Sequence, residues 1–367
     1  MMMNSLFYEL LQMALGKRKT LSCTPCPEEW NSIFLMAQEQ AVTGVAFLAL
    51  DLIRNEQKPQ QTLLYEWIGV SEQIKQRNLV VNNYCLELTR HFENAGFRCC
   101  ILKGQGNAQM YFEPLSRIPG DIDIWLDADK EKIVSFIRKR FPDTNDSGMH
   151  LNYPILKDVE VEVHYRPQYL SCKKYDKRLQ RYFSSISDVQ FEHKVRLEGA
   201  DGDICTPDLE FNLVLQFAHL LGHFYGDGIG LRHFVDLYYL LLQIEQTDCG
   251  KNVSELLRWL GMGRFSRGVM WIEKEILRLE DKYLIAEPSE KLGRIILKEI
   301  EKGGNFGRYD FRNKWRKKGI LTRAVIDSYR LIRLSRVQPS EAFVRLYDKL
   351  TNVESLKEVI NNSCFFS

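Results

Sequence analysis

Two aspartates separated by a single residue stand in a short apolar stretch and form the clearest chemical feature of the chain. Asp121 and Asp123 alternate with Ile122, Ile124 and Leu126. Because successive side chains of a β-strand point to opposite faces, this pattern predicts a strand with carboxylates on one face and apolar residues on the other. Two carboxylates held close together repel each other, and a hard divalent cation allows both to stay ionised. The pair therefore predicts an Mg²⁺ site.

A second strand pattern supplies a third carboxylate. Valines at alternate positions from 159 to 163 predict an apolar face, whereas Glu160, Glu162 and His164 share the other face. If this strand lies beside the first with the apolar faces together, three acidic groups meet, which suits two metal ions. We favour Glu162 as the third ligand; Glu160 is the alternative, or a solvated neighbour. His164 is either a substrate contact or an ordinary surface histidine at a strand end.

A glycine turn upstream is suited to phosphate. Residues 97–102 predict a strand that runs into Lys103 and Gly104, and a short helix follows. A strand, a glycine turn and a helix N-terminus place backbone N–H groups where a phosphate binds, and Lys103 adds a positive charge. Arg117 precedes the aspartate strand in a loop, where it either reaches a phosphate or is solvated.

In their order along the chain, these features resemble those of a known family. The segments that carry the likeness are 102–104, Tyr111, Arg117, 120–123 and 162–164. Together they resemble the uncharacterised bacterial branch of the polymerase β-like nucleotidyltransferase superfamily. That superfamily has a strand ending in a glycine turn, a D-x-D pair on the next strand and a third acidic residue on a later one.

The resemblance implies a role for each matching residue. Asp121 and Asp123 would be the paired metal ligands and Glu162 the third, with the Gly104 turn under the triphosphate. The superfamily usually has Ser or Gly after its turn glycine, whereas Gln105 stands here. One of three side chains would then replace the hydroxyl contact to the γ-phosphate: Lys103, Gln105 or Arg117.

The implied activity is transfer of a nucleoside monophosphate from an NTP to an acceptor hydroxyl, with release of pyrophosphate. Two Mg²⁺ ions would assist, because such transfer depends on positioning and charge neutralisation. The partners are an NTP and a hydroxyl-bearing acceptor that the sequence does not identify. The alternative is a catalytically inactive nucleotide- or RNA-binding module that has kept the fold.

The elements around these motifs predict an α+β protein with a small mixed β-sheet between two helical regions. We divide the chain into an N-terminal helical region (1–96), an α/β nucleotidyltransferase core (97–201) and a C-terminal helical region (202–367). Within the core we expect a helix at 129–140 and further strands at 149–156 and 189–197. A glycine-rich turn is expected at 303–307.

Helix signals in the C-terminal region bear on the site. Thr206, followed by proline and two acids, predicts the start of a helix. In the resembling family a helical region of this kind packs behind the nucleotide cleft, which makes Arg232 and Asp236 candidates to line it. His219 and His223 stand one helical turn apart, a spacing that can bind zinc. No third ligand is evident from the sequence, so we interpret them as core or polar-interface histidines.

Bulk composition indicates a soluble cytoplasmic protein. Of 367 residues, 45% are hydrophobic and 27% charged, and the formal net charge is +2. The nine cysteines show no secreted-scaffold spacing, and neither a signal peptide nor a membrane-spanning segment is evident. We therefore expect a reducing cytoplasm and no membrane partner.

One segment is strongly basic. Residues 308–336 contain ten Lys or Arg against two Asp, a local net charge of +8, which leaves −6 for the remainder of the +2 total. Four aromatic residues interleave with the basic ones, which would suit RNA or an anionic acceptor. We favour the simpler interpretation, a solvated face of an amphipathic helix.

Overall fold

Helices form the N-terminal part of the chain, as the sequence predicts. The computed structural model describes residues 2–246, 249–316 and 319–351. Within residues 2–96 the helices are α1 (Met2–Ala14), α2 (Pro27–Glu39), α3 (Thr43–Phe47) and α4 (Gln61–Asn94). Gly96 follows α4 with φ +80°, a left-handed conformation that favours glycine and ends the helix at the predicted place.

A small mixed sheet occupies the middle of the chain and confirms the predicted α+β class. Its elements are β1 (Cys99–Leu102), α5 (Gly104–Ala108), β2 (Ile122–Leu126), α6 (Lys130–Arg140), β3 (His150–Asn152) and β4 (Val161–His164). The strand order is β1-β2-β4-β3. β2 is antiparallel to β1 and parallel to β4, and β3 is antiparallel to β4. The aspartate strand is therefore internal, and the glutamate strand is its direct neighbour.

The two faces of this sheet pack in different hydrophobic cores. Ile124 and Val163 point into a smaller core that includes Ile133 of α6. Trp125, on the opposite face, stacks against Phe211 with ring centroids 5.6 Å apart and belongs to the larger core. Polar residues on the second face are therefore held beneath the C-terminal helices rather than in open solvent.

The strand prediction for residues 189–197 was partly wrong. After α7 (Lys173–Ser185) the chain forms α8 (Ser187–Gln190), and only Lys194–Arg196 is a strand, β5, which pairs with β6 (Asp203–Cys205). The turn after α8 allows Phe191 to pack on Trp125 at 4.5 Å between ring centroids, and this tertiary contact overrides the local strand signal.

The predicted strand at 149–156 is shorter than expected. The backbone N–H of Tyr153 still donates to the carbonyl of Val161, at 2.8 Å, but the chain then turns away from the sheet. Only His150–Asn152 remain in β3.

The described part of the C-terminal region after β6 is mainly helical. Its helices are α9 (Leu209–Tyr225), α10 (Leu231–Leu242), α11 (Cys249–Trp259), α12 (Gly263–Glu275), α13 (Glu290–Gly303), α14 (Asn313–Arg316), α15 (Ile320–Leu334) and α16 (Pro339–Thr351). Asp208, not Thr206, caps α9, because its carboxylate accepts the N–H of Phe211 at 2.9 Å. The N–H of Thr206 instead donates to the carbonyl of His193, at 3.0 Å, beside the β5–β6 hairpin.

Helices from both ends of the chain share the larger hydrophobic core. Trp30 and Trp67 from the N-terminal helices belong to the same buried cluster as Phe217, Phe234 and Phe265 from the C-terminal helices. None of the helices in the described residues is both long enough and apolar enough to cross a lipid bilayer.

A buried carboxyl group in α12 predicts a dependence of stability on pH. Glu273 is 0% exposed, and neither carboxyl oxygen has a hydrogen-bond partner among the described residues. Burial raises the pKa of Glu273 well above its ordinary 4.5. The folded state therefore holds this proton more tightly than the unfolded state, so the group's contribution to stability is complete below pH 4.5 and declines as pH rises.

We expect Glu273→Gln to increase the free energy of unfolding, measured by urea denaturation, and the increase to grow between pH 4.5 and pH 8. Glu275→Gln, at an exposed position of the same helix, is the control and should show no such trend. A constant difference across this pH range would contradict the prediction.

Candidate functional site

The three carboxylates singled out in the sequence come together at one end of β2 and β4. The parallel pairing sets Asp123 opposite Glu162. Carboxylate oxygens of Asp121, Asp123 and Glu162 all lie within 4.8 Å of one another. Glu160 is exposed and precedes β4; its carbonyl accepts the N–H of Ile122 at 2.9 Å. The grouping of Glu162 with the aspartates offers the hard oxygen ligands that Mg²⁺ prefers.

Asp123 also lies between two positively charged side chains. Its Oδ1 accepts from Lys103 Nζ at 2.9 Å and lies 2.7 Å from His164 Nε2. The other ring nitrogen of His164 lies 3.1 Å from the carbonyl oxygen of Arg166. Because both neighbours of the ring are acceptors, both ring nitrogens must carry a proton. His164 is thus a fully buried imidazolium and not the surface histidine that one interpretation of the sequence allowed.

Burial and the neighbouring charges shift the pKa values of the groups around Asp123. Burial alone would lower the pKa values of Lys103 and His164, but the nearby carboxylates outweigh it and raise both. Burial would raise the pKa of Asp123, yet Lys103 and His164 bring it well below its ordinary value. Asp121 differs, because burial and the charge of Asp123 together raise its pKa. The site is therefore a compact group of opposite charges held under the larger core.

His150 is a member of the site that the sequence did not reveal. Its Nδ1 lies 3.0 Å from Glu162 Oε2, and His164 Nε2 lies 3.5 Å from the same oxygen. Burial would raise the pKa of Glu162, but these two histidines lower it, so the glutamate is ionised. The position of His150 depends on the pairing of β3 with β4, which no local pattern specifies.

The Lys103–Gly104 turn has an unusual backbone. Lys103 has φ 53° and ψ −134°, and Gly104 has φ +29°. A side chain at such a φ costs about 1–3 kcal/mol and persists where surrounding structure enforces it. The buried ion pair between Lys103 and Asp123 supplies that constraint.

The structure differs from the prediction for Gln105, because its side chain does not line the cavity. It is buried against α4, where its amide donates to Asn78 Oδ1 at 3.1 Å and to Asn82 Oδ1. Since α5 begins immediately after Lys103, the next side chain turns away from the strand end and toward α4. A γ-phosphate contact from the Gln105 side chain does not fit this arrangement.

Arg117 lines the cavity but is already paired. Its Nε and Nη2 donate to the two carboxyl oxygens of Asp236 at 2.7 and 2.9 Å, and the Tyr111 hydroxyl donates to Asp236 Oδ1 at 2.7 Å. All three side chains are buried. The predicted phosphate contact of Arg117 would therefore have to compete with a bidentate buried ion pair.

Arg232, at the start of α10, is the better anion-binding candidate. It is 6% exposed and forms no ion pair with any carboxylate in the described residues. Its Nη1 donates to the carbonyl of Ile118 at 3.2 Å, whereas its Nε has no hydrogen-bond partner there. Burial, with the charge of Arg117, lowers its pKa to about 10, so it stays charged at neutral pH. Its guanidinium lies beside Gly120, 3.5 Å from where a Cβ would stand, which places it next to the aspartate strand.

A cavity of about 350 Å³ joins these groups. Its acidic wall contains Asp121, Asp123 and Glu162, and the wall formed by α9 and α10 contains His219, His223, Arg232, His233 and Asp236. A larger groove of about 1,150 Å³ shares Tyr169, Phe306 and Arg345 with it and continues along the basic segment. The volume suits a small ligand, and the adjoining groove leaves room for a second.

Some of the basic side chains of the basic segment form ion pairs within the protein. Arg312 and Arg330 lie 3.1 and 2.9 Å from Glu299 Oε2, and Arg333 pairs with the same buried carboxylate. Lys317 and 318 lie outside the described residues. RNA binding stays the less favoured interpretation of this segment, and these three arginines are already paired with Glu299.

We expect Asp236→Asn to lower the free energy of unfolding by about 3–5 kcal/mol, because it leaves the buried Arg117 charge uncompensated. Glu290→Gln breaks the exposed pair with Arg294 and is the control, with an expected cost of at most about 1 kcal/mol. Chemical denaturation measures both. Equal losses would show that the buried pair is not important to the fold.

Comparisons with known proteins address the family of the chain. No curated protein matches it. The crystal structure of an antigenic nucleotidyltransferase-like protein from Paracoccidioides brasiliensis matches with 13% identity and a TM-score of 0.29, covering 57% of this chain and 94% of that one, a similarity too low to support an argument. A family model matches residues 27–278, a range that includes Asp121, Asp123, Glu162 and Arg232. The chain therefore belongs to the family described as uncharacterised nucleotidyltransferase.

Proposed function

We propose that this protein transfers a nucleoside monophosphate from an NTP to the hydroxyl group of an acceptor and releases pyrophosphate. The proposal rests on the meeting of Asp121, Asp123 and Glu162 in one cavity with the buried guanidinium of Arg232, whose Nε has no hydrogen-bond partner among the described residues. Carboxylates suit metal ions and a buried cation suits phosphate, which are the two requirements for binding a metal–triphosphate complex. Within this proposal the family is a branch of the polymerase β-like superfamily, and the protein acts in the cytoplasm.

The carboxylate group fits Mg²⁺ by its donor chemistry. The ligand oxygens of Asp121, Asp123 and Glu162 are close enough to share an ion, and all are hard donors. Two Mg²⁺ ions held there would neutralise triphosphate charge and lower the pKa of the acceptor hydroxyl.

The chain's own residues have distinct tasks in this scheme. Arg232 binds phosphate oxygens, and the Lys103–Gly104 turn fixes the strand end beneath them. A bond forms between the acceptor oxygen and the α-phosphorus, and the bond from that phosphorus to the bridging oxygen breaks as pyrophosphate leaves. Glu162 lies within the cavity and takes the hydroxyl proton in this scheme.

One observation favours a second candidate, a nucleotide-binding module without transfer activity. Lys103 and His164 already contact Asp123 Oδ1, so their charges compete with a metal ion for that carboxylate. A protein that had lost metal binding would bind a nucleotide through Arg232 without needing Mg²⁺.

Calorimetric titration with each of the four NTPs, with and without Mg²⁺, separates these candidates. We expect Mg²⁺-dependent binding that the double variant Asp121→Asn, Asp123→Asn loses, because the remaining carboxylate holds the ions poorly. A matched control is Asp201→Asn, Asp203→Asn, an exposed pair with the same spacing.

Binding that needs no Mg²⁺ and survives in the Asp121, Asp123 variant would favour the second candidate. No binding of any NTP to the folded protein would contradict both.

Arg232→Gln should weaken NTP binding roughly 10- to 100-fold, the worth of one or two charge-assisted hydrogen bonds, and should affect nucleoside binding little. Arg294→Gln, an exposed arginine of α13, is the control. An equal loss for NTP and nucleoside would show that Arg232 acts on the shape of the cavity and not on phosphate.

A further inference from the structure

Three of the seven histidines meet on the cavity wall opposite the sheet. His219 and His223 lie one turn apart on α9, and the packing of α10 brings His233 beside them. One ring nitrogen from each lies within 4.8 Å of the nitrogens from the other two. The fold therefore supplies a third histidine that was not evident from the sequence.

The three rings are buried in surroundings that favour the neutral form of histidine. Burial, together with nearby positive charges, lowers the pKa of His223 to about 4 and the pKa values of His219 and His233 well below the ordinary 6.5. Burial therefore favours the neutral form of all three rings. A neutral imidazole has one ring nitrogen with a free lone pair, which is the form that binds transition metals.

His233 has the hydrogen-bond pattern of a metal ligand. Its Nδ1 lies 3.3 Å from the carbonyl oxygen of Gly230, which fixes the proton on that nitrogen. Its Nε2 is buried and has no hydrogen-bond partner among the described residues, although the side chain is only 2% exposed. Metal-binding histidines commonly donate one ring nitrogen to a carbonyl and present the other to the ion.

This pattern differs from that of His164 in the same cavity. Both ring nitrogens of His164 contact acceptors, so its burial is explained by the protein alone. His233 has no comparable explanation for Nε2, and an unsatisfied buried nitrogen is costly unless something binds it.

Phe306 covers one side of the histidine cluster, and the other side faces the cavity. The Phe306 ring lies 5.1 and 5.5 Å from the rings of His223 and His233. The backbone there has φ 55° at Phe306 and φ +63° at Gly307, where a side chain would collide with Asp227. The predicted glycine turn thus places the Phe306 ring against His223 and His233. All three histidine rings still line the cavity.

We propose that His219, His223 and His233 form a binding site for a borderline transition metal, with Zn²⁺ the ion that fits best. Imidazole ligands select Zn²⁺ over Mg²⁺, whereas the carboxylate group opposite has the reverse preference, so the cavity has two chemically distinct metal sites. Three protein ligands leave the fourth position of a tetrahedral Zn²⁺ to water or to an oxygen of a bound molecule. This site stands independently of the proposed nucleotidyl transfer.

The test is competition for Zn²⁺ between the metal-free full-length protein and a chromophoric chelator. The Asp121→Asn variant serves as the background, so that Asp121 does not contribute, while Asp123 keeps its contacts with Lys103 and His164. We expect one Zn²⁺ per chain that excess Mg²⁺ does not displace. His233→Gln and His223→Gln should each lower the affinity about 100-fold or more, since even loss of an outer hydrogen-bond partner costs about 10- to 100-fold.

His150→Gln is the matched control, because His150 lines the same cavity and belongs to a different group, with Glu162 and His164. It should leave Zn²⁺ affinity unchanged. Zn²⁺ binding that is lost in His150→Gln and kept in His233→Gln would overturn the proposal, and so would the absence of tight binding in the background variant.

Cobalt provides a readout that does not depend on one variant's stability. Co²⁺ in the histidine site should give the intense visible bands of a four-coordinate ion, and circular dichroism before metal addition shows whether each variant is folded. Weak bands of a six-coordinate ion in a folded protein would contradict the proposed ligand set.

Discussion

A buried carboxylate between two buried cations is the interaction on which the site depends. Asp123 accepts from Lys103 and from the imidazolium of His164, and each of these three charges would be costly alone. The pairing explains why a lysine tolerates a positive φ at the end of β1 and why a histidine is charged at 0% exposure. The same pairing would weaken Mg²⁺ binding, because Lys103 and His164 already balance part of the negative charge of the site.

The sheet makes this arrangement possible by presenting its polar face to helices. Parallel pairing of β2 with β4 aligns Asp123 with Glu162, and Trp125, the one large apolar residue on that face of β2, anchors α9 above it. The helices then bring Arg232 and the three histidines to the opposite wall. The three grouped carboxylates lie at the sheet, and Arg232 and the three clustered histidines lie on the helices, so one cavity presents two kinds of chemistry.

The sequence predicted the parts of the site that depend on local periodicity. The grouping of Asp121, Asp123 and Glu162 follows from alternation along two short segments, and the Lys103–Gly104 turn follows from a strand ending in glycine. Long-range pairing could not be predicted from local patterns. Arg117 was expected either to reach a phosphate or to be solvated, but it pairs with Asp236, more than a hundred residues later. For the same reason the sequence showed two of the clustered histidines and not the third, which belongs to another helix.

Anomalous diffraction from crystals grown with Mn²⁺ and a non-hydrolysable NTP analogue would show whether the cavity binds a metal–triphosphate complex. We expect Mn²⁺ bound to the carboxylates of Asp121, Asp123 and Glu162, and the triphosphate between those ions and Arg232. Nucleotide density elsewhere on the protein, or a nucleotide in the cavity with no Mn²⁺ at the carboxylates, would contradict this expectation.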